Sequence, residues 1–258
     1  MALFLHELKK SRISLIIWTA ILAFLIVVTV LIYPLIELTM TEMLEAFEQM
    51  GLYGEAFNIA ITDFWSYFAI ECGETVCLGG ALFAAVLSAS ALSGEERGKT
   101  AEFLLMHPIK RESVFLTKLL NVFIQIFIKN IIIIIAVMLS VLVIGQEIMM
   151  GKILLLFASF TLLELQVASL CFCISSVYRG NGVILGLGIV FLFYFTFIIA
   201  NISDKVEFLK YITPFGYADG AYIVANDALL WKYIFPGVLL AVVALAGAFI
   251  HYRKKDIK

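Results

Sequence analysis

Residues 93–118 read SGEERGKTAEFLLMHPIKRESVFLTK, the longest charged run in an otherwise apolar chain. They hold five of the 18 Lys+Arg and four of the 20 Asp+Glu. Long apolar stretches flank them on both sides. A charged loop between two apolar spans is exposed to water, and a membrane protein that keeps one offers it to a soluble partner.

Composition sets the class. Hydrophobic residues make up 63% of the 258 and charged residues 15%, and the mean hydropathy is +1.05. Soluble domains are about 45–50% apolar and about 25% charged. A hydrocarbon core about 30 Å thick takes roughly 20 apolar residues of helix. Six runs meet that need: 13–33, 75–92, 119–144, 153–174, 182–200 and 233–251. Lys129 interrupts the third and Glu164 the fourth, and the second lengthens outward if Glu71 and Glu74 are admitted. Backbone groups in lipid must be satisfied within the segment, so helices are expected. The alternation of a membrane barrel is missing. The fold class expected is an all-α integral membrane protein, a single domain over 1–258 with six transmembrane helices.

Basic residues in short loops set orientation. With the N-terminus in the cytoplasm, 13 of the 18 Lys and Arg lie inside, four lie outside, and Lys129 is within a span. Both termini and residues 93–118 are therefore expected in the cytoplasm. Residues 2–12, ALFLHELKKSR, are amphipathic and basic, and are read as a short interfacial helix leading into the first span. No small-residue cleavage site follows them, so they do not read as a signal peptide.

Two outer segments are expected. Residues 36–64 carry Glu37, Glu42, Glu45, Glu48, Glu55 and Asp63 with no Lys or Arg. Their apolar residues fall at roughly helical spacing. They read either as a solvated connector or as an acidic entrance that attracts cations. Residues 201–232 are half apolar and broken by Pro214, Gly216 and Gly220. Such pieces dip into the membrane where protein buries their ends.

Within the charged loop, residues 93–100 come close to the phosphate-binding pattern G-x-x-x-x-G-K-[ST]. Ser93 stands where its first glycine belongs, the segment follows an apolar span rather than a strand, and Glu95 and Glu96 would repel phosphates. The chain itself is not expected to bind ATP. A docking element fits better. Gly98 breaks the helix leaving the second span, Thr100 caps a new one, residues 101–107 continue it, and Pro108 stops it. A short capped helix just below the bilayer suits a groove on a soluble subunit.

The run EERGKTAEFLLMHPIKR with its later Lys resembles the signature between the second and third spans of ABC-2 type transporter permeases. An acidic pair, Gly, Thr, Glu, Leu-Leu, Pro, Arg and a later Lys recur there. Here they are Glu95, Glu96, Gly98, Thr100, Glu102, Leu104, Leu105, Pro108, Arg111 and Lys118. One departure is Lys99, which separates Gly98 from Thr100. LFLHELKKSRISLIIW at the start and HYRKKDIK at the close resemble the family's ends.

The resemblance implies an ABC-2 exporter-like transmembrane domain, the permease subunit of a bacterial ABC exporter in the cytoplasmic membrane. It implies a second permease chain, identical or different, and a separate ATP-binding cassette ATPase. That ATPase would hold ATP and magnesium, so this chain would be no enzyme and carry no cofactor. Residues 101–107 would be its coupling helix, with Phe103 among the docking residues, and residues 2–12 would also touch it. Membrane lipids are expected partners and nucleic acid is not. Related permeases handle antimicrobial peptides, drugs, lipids, polysaccharides or sodium.

Charges inside spans are costly and are candidates for function. Lys129 lies 10 residues beyond Leu119 and Glu164 11 residues beyond Ile153. At about 1.5 Å per residue both sit near mid-membrane on consecutive antiparallel helices. They are expected to pair or to line one polar cavity. Such a pair either contacts substrate or only fixes helix register. Glu71 and Glu74 fall at the outer rim, where they charge a vestibule or simply face the interface. Cys72, Cys77, Cys171 and Cys173 have no zinc-ligand spacing, and no metal is expected. No Ser, His and Asp group together as in a hydrolase. The alternative function is an ion-coupled secondary transporter or channel using Lys129, Glu164, Glu71 and Glu74.

Overall fold

A computed structural model of the protein describes residues 2–49, 63–94, 111–178 and 180–254. Its helices are α1 (Ala2–Gln49), α2 (Phe64–Ala89), α3 (Arg111–Val143), α4 (Met150–Val177), α5 (Gly182–Ala200), α6 (Gly220–Asn226) and α7 (Trp231–Lys254). Two 3₁₀ turns, Asp204–Tyr211 and Pro214–Tyr217, lie between α5 and α6. Among the described residues there is no strand. All of these helices except α6 are long and apolar enough to cross a membrane, which matches the six runs read from the sequence.

The helices are longer than the apolar runs. No Gly or Pro occurs between residues 2 and 33, so nothing interrupts the first helix. The separate interfacial helix expected over 2–12 is instead the opening of α1. This 48-residue helix passes through Pro34 and ends at Gln49. At about 1.5 Å per residue it is roughly 72 Å long, so the first part of the acidic outer segment is its continuation. α2 begins 11 residues before the expected run. The Asp63 side chain accepts from the Ser66 backbone N–H at 3.1 Å and caps it. α3 starts at Arg111, so Lys118 stands two turns inside a helix rather than in a loop. Residues 95–110, which carry the expected docking helix, lie outside the described residues.

α2 and α4 form the middle of the bundle and pack most extensively on each other. α1 lies against α3, and α7 against α4. In their apolar stretches α2 and α4 are 53% and 61% buried, against 22% for each of α1, α5 and α7. The outer three present apolar side chains outward, Phe24, Ile184 and Phe235 among them.

Both described ends come to one end of the bundle, at the start of α3. Glu7 of α1 pairs with Lys118 at 2.9 Å. Glu112 pairs with Arg253 of α7 at 3.1 Å. The Phe115 ring packs edge-on to Phe172 at 5.0 Å and to Phe249 at 5.3 Å. At the opposite end Tyr33, Phe64, Trp65, Tyr67 and Phe68 cluster, with Tyr33 and Phe64 centroids 5.0 Å apart. The Tyr67 hydroxyl ties α2 to α1 by donating to Thr29 O at 3.1 Å.

Residues 213–218, within the broken apolar segment 201–232, are buried among the described helices. Irregular backbone that is buried needs hydrogen-bond partners within the protein, and it has them. Thr213 Oγ1 donates to Phe193 O at 2.8 Å, Ser159 Oγ donates to Tyr217 O at 2.9 Å, and the Tyr217 hydroxyl donates to Gln166 Oε1 at 2.8 Å. Nearer the surface, Tyr233 and Lys232 hydrogen-bond Glu207 at 2.6 and 3.3 Å and hold its carboxyl below the usual carboxylate range. That contact is present above this lowered range and is lost as pH falls through it.

Gly220 opens α6 against α2. A Cβ there would collide with Ala69 O and stand 3.1 Å from its carbonyl carbon. Backbone cannot swing aside as a flexible side chain can. Gly220→Ala is expected to cost about 1–3 kcal/mol through overpacking, read as a lower midpoint of thermal unfolding in detergent.

Candidate functional site

α3 carries a buried polar stripe. Lys118, Asn121, Gln125 and Lys129 are spaced three, four and four residues apart and are all buried. At about 100° per residue they fall within an arc of about 80°. The other side of α3 presents Leu116, Leu120, Phe127 and Ile131 outward. The helix is thus apolar where it faces out and carries its polar stripe, among buried apolar residues, where it faces its neighbours.

Mid-bundle, Lys129 Nζ pairs with Glu164 Oε1, and both side chains are fully buried. Asn130 donates to Glu164 Oε2 at 3.0 Å and to Thr161 Oγ1 at 2.9 Å. The two charges expected at one depth therefore meet. α2 makes room for them at Gly80, where a Cβ would collide with Glu164 Oε1 and lie 2.9 Å from Lys129 Nζ. Phe83 covers the ammonium with its ring centroid 6.0 Å away. Three helices thus enclose one ion pair.

Toward the end that carries the described termini, a cavity of about 290 Å³ opens between α1, α2 and α3. Glu7, Lys10, Ser11, Ser14, Ser90, Lys118 and Asn121 give it a polar lining. Gln125 Nε2 donates to Ser11 Oγ at 2.7 Å beside it. Lys118, placed by resemblance in the docking signature, turns into the bundle toward Glu7 and is 1% exposed. Arg111 is half-buried at the first residue of α3.

At the opposite end a cavity of about 150 Å³ is lined by Glu74, Asp219, Cys77 and the rings of Tyr194, Phe197 and Phe215. Glu71 is exposed one turn away on α2 and is not in that lining. Lys129 and Glu164 belong to the lining of neither cavity. The structure therefore brings Lys129 and Glu164 together and leaves Glu71 and Glu74 apart from them. Glu95, Glu96, Gly98, Thr100, Glu102, Phe103, Leu105 and Pro108 lie outside the described residues. Sequence reading missed Glu7, Asn121, Gln125 and Asn130. For Asn121 and Gln125 the three- and four-residue spacing of polar residues along the third run carried that signal.

Breaking a buried pair leaves an uncompensated charge, at about 3–5 kcal/mol, while replacing both partners by apolar groups is often neutral. Lys129→Met or Glu164→Leu alone is therefore expected to lower stability or abolish insertion. The double change is expected to recover most of the loss, read as thermal midpoints in a double-mutant cycle.

Two comparisons bear on identity. "Uncharacterized protein YhcI" of Bacillus subtilis (strain 168) is 22% identical over 218 residues, covering 75% of this chain and 69% of that protein. Residues 1–257, nearly the whole length, match the family described as ABC-2 family transporter protein. With six helices able to span a membrane, the chain belongs to that family of ABC transporter membrane permeases.

Proposed function

We propose that this chain is the membrane-spanning half of a bacterial ABC exporter. It pairs with a second permease chain in the cytoplasmic membrane and receives a separate ATPase on the face that carries its described ends. The family match over residues 1–257 carries the reading. Support comes from charge, since 13 of the 18 Lys and Arg fall on that face by loop assignment. The outward apolar faces of α1 and α5 support contact with lipid or a second chain.

In this reading residues 101–107 dock into the ATPase and α3 receives the push at its first turn. Glu102, Phe103 and Leu105 make the contact, flanked by Glu95, Glu96, Gly98, Thr100, Pro108 and Arg111. ATP and magnesium stay in the partner. The outer acids Glu71 and Glu74, with Asp219 and the aromatic rings beside Glu74, favour an amphiphilic cation as cargo, by charge and by ring faces. Lys129 and Glu164 hold the three central helices in register across that route.

Co-expression with candidate ATP-binding cassette subunits tests the assignment. The unaltered chain is expected to co-purify with ATPase activity, and Glu102→Ala with Phe103→Ala to lose most of it. An unaltered chain that purifies alone, under conditions where a known permease–ATPase pair stays together, overturns the reading.

A further inference from the structure

Four buried side-chain atoms have no hydrogen-bond partner among the described residues: Thr19 Oγ1, Asn121 Oδ1, Gln125 Oε1 and Asn130 Oδ1. They are not scattered. Three lie on α3 and the fourth on the helix packed against it. An unsatisfied buried polar atom costs about 1–3 kcal/mol, so a row of them in a dry interior would be a heavy burden on one helix pair.

The row begins at an opening. Asn121 is 4% exposed and lines the cavity of about 290 Å³. A water needs roughly 10–15 Å³ of such space, so several fit. Gln125 stands one turn further in, about 6 Å along the axis, and Lys129 about 6 Å beyond that on the same face, while Asn130 lies about 140° around the helix from Gln125, on the side that meets α4. Thr19 is two turns beyond Ser11, whose hydroxyl already bonds Gln125. With waters about 2.8 Å apart, one molecule bridges a step of about 6 Å and three or four bridge the roughly 12 Å from Ser11 to Thr19. The row ends where Gly80 and Phe83 close over Lys129 and Glu164. The outer cavity takes no part, since its lining contains none of these residues.

We propose that α1 and α3 enclose a one-ended, water-filled path from the polar cavity to the Lys129–Glu164 pair. Its ligands are water and protons. The pair is thereby in contact with the aqueous phase at the end that carries the described termini and sealed from the other. Nothing in the path requires an ATPase or a second permease chain, so it stands apart from the proposed function.

The test uses the full chain in membrane vesicles, with its four cysteines replaced and single cysteines placed at Gln125, Thr19 or Leu120. The probe is silver ion, which is close to water in size. Leu120 is 54% exposed on the apolar face of α3 and serves as the dry control. Thiolates, not thiols, react, and they form in water rather than in an apolar setting. Gln125→Cys and Thr19→Cys are expected to react about two orders of magnitude faster than Leu120→Cys. Faster reaction at either position supports the path, and Thr19→Cys, nearly isosteric, carries the test where Gln125→Cys does not fold. Reaction at both as slow as at Leu120→Cys overturns it.

Discussion

A lysine ammonium fully buried within an apolar helix bundle is tolerable only if something answers its charge. Here Glu164 answers it, Asn130 holds the second carboxylate oxygen, and Gly80 gives the space. That constraint orders the bundle. Lys129 lies on α3, Glu164 on α4 and Gly80 on α2, so the pair fixes three helices in rotation and in depth at once. A one-residue slip of α3 or α4 would turn a charge by about 100° toward an apolar neighbour. Dispersion packing of Leu, Ile and Phe tolerates such slips far better, since lipid tails are as apolar as the residues they would replace.

The same logic repeats nearer the end that carries the described termini, with a different weight. Glu7 and Lys118 are nearly buried and join α1 to α3, whereas Glu112 and Arg253 join α3 to α7 through side chains that stay about half exposed. Exposed pairs contribute little, so the α3–α7 contact rests more on Phe115 against Phe249 and Tyr252. The first two turns of α3 thus hold α1, α4 and α7 together.

Much of this was legible in the sequence, and what was missed has physical causes. Six apolar runs fixed the number of spans, because a hydrocarbon core imposes a minimum length. Lys129 and Glu164 stood out because each breaks such a run, and counting residues placed them at one depth. Helix ends were less legible. Hydropathy marks where the membrane stops, while a helix stops only where capping, Gly or Pro ends it. α1 therefore ran on through residues 2–12, and it continues past Pro34 because an interior proline can bend a helix without ending it. Lys118 was read as a loop charge because it sits beside a charged run, but its partner lies 111 residues away in Glu7. Asn121 and Gln125 escaped because uncharged amides hardly disturb a hydropathy count, although their spacing with Lys118 and Lys129 marks one face.

The position of that face connects the two kinds of constraint. α3 begins with the residue that follows the charged segment 95–110, and its first two turns are tied to α1, α4 and α7. Its polar stripe then leads directly to the ion pair that sets the register of α2, α3 and α4. A helix held by so many directional contacts moves as a rigid element rather than by local bending. In the proposed transporter, displacement at Arg111 would therefore reach Lys129, about 27 Å away along the axis, without loss through a flexible joint. Of the contacts tied to α3, the Lys129–Glu164 pair is the least free to slide, because among the described residues each charge has one compensating charged partner. Any working motion must carry α2, α3 and α4 together around that pair, and the sliding surfaces must lie elsewhere, on the apolar faces of α1, α5 and α7.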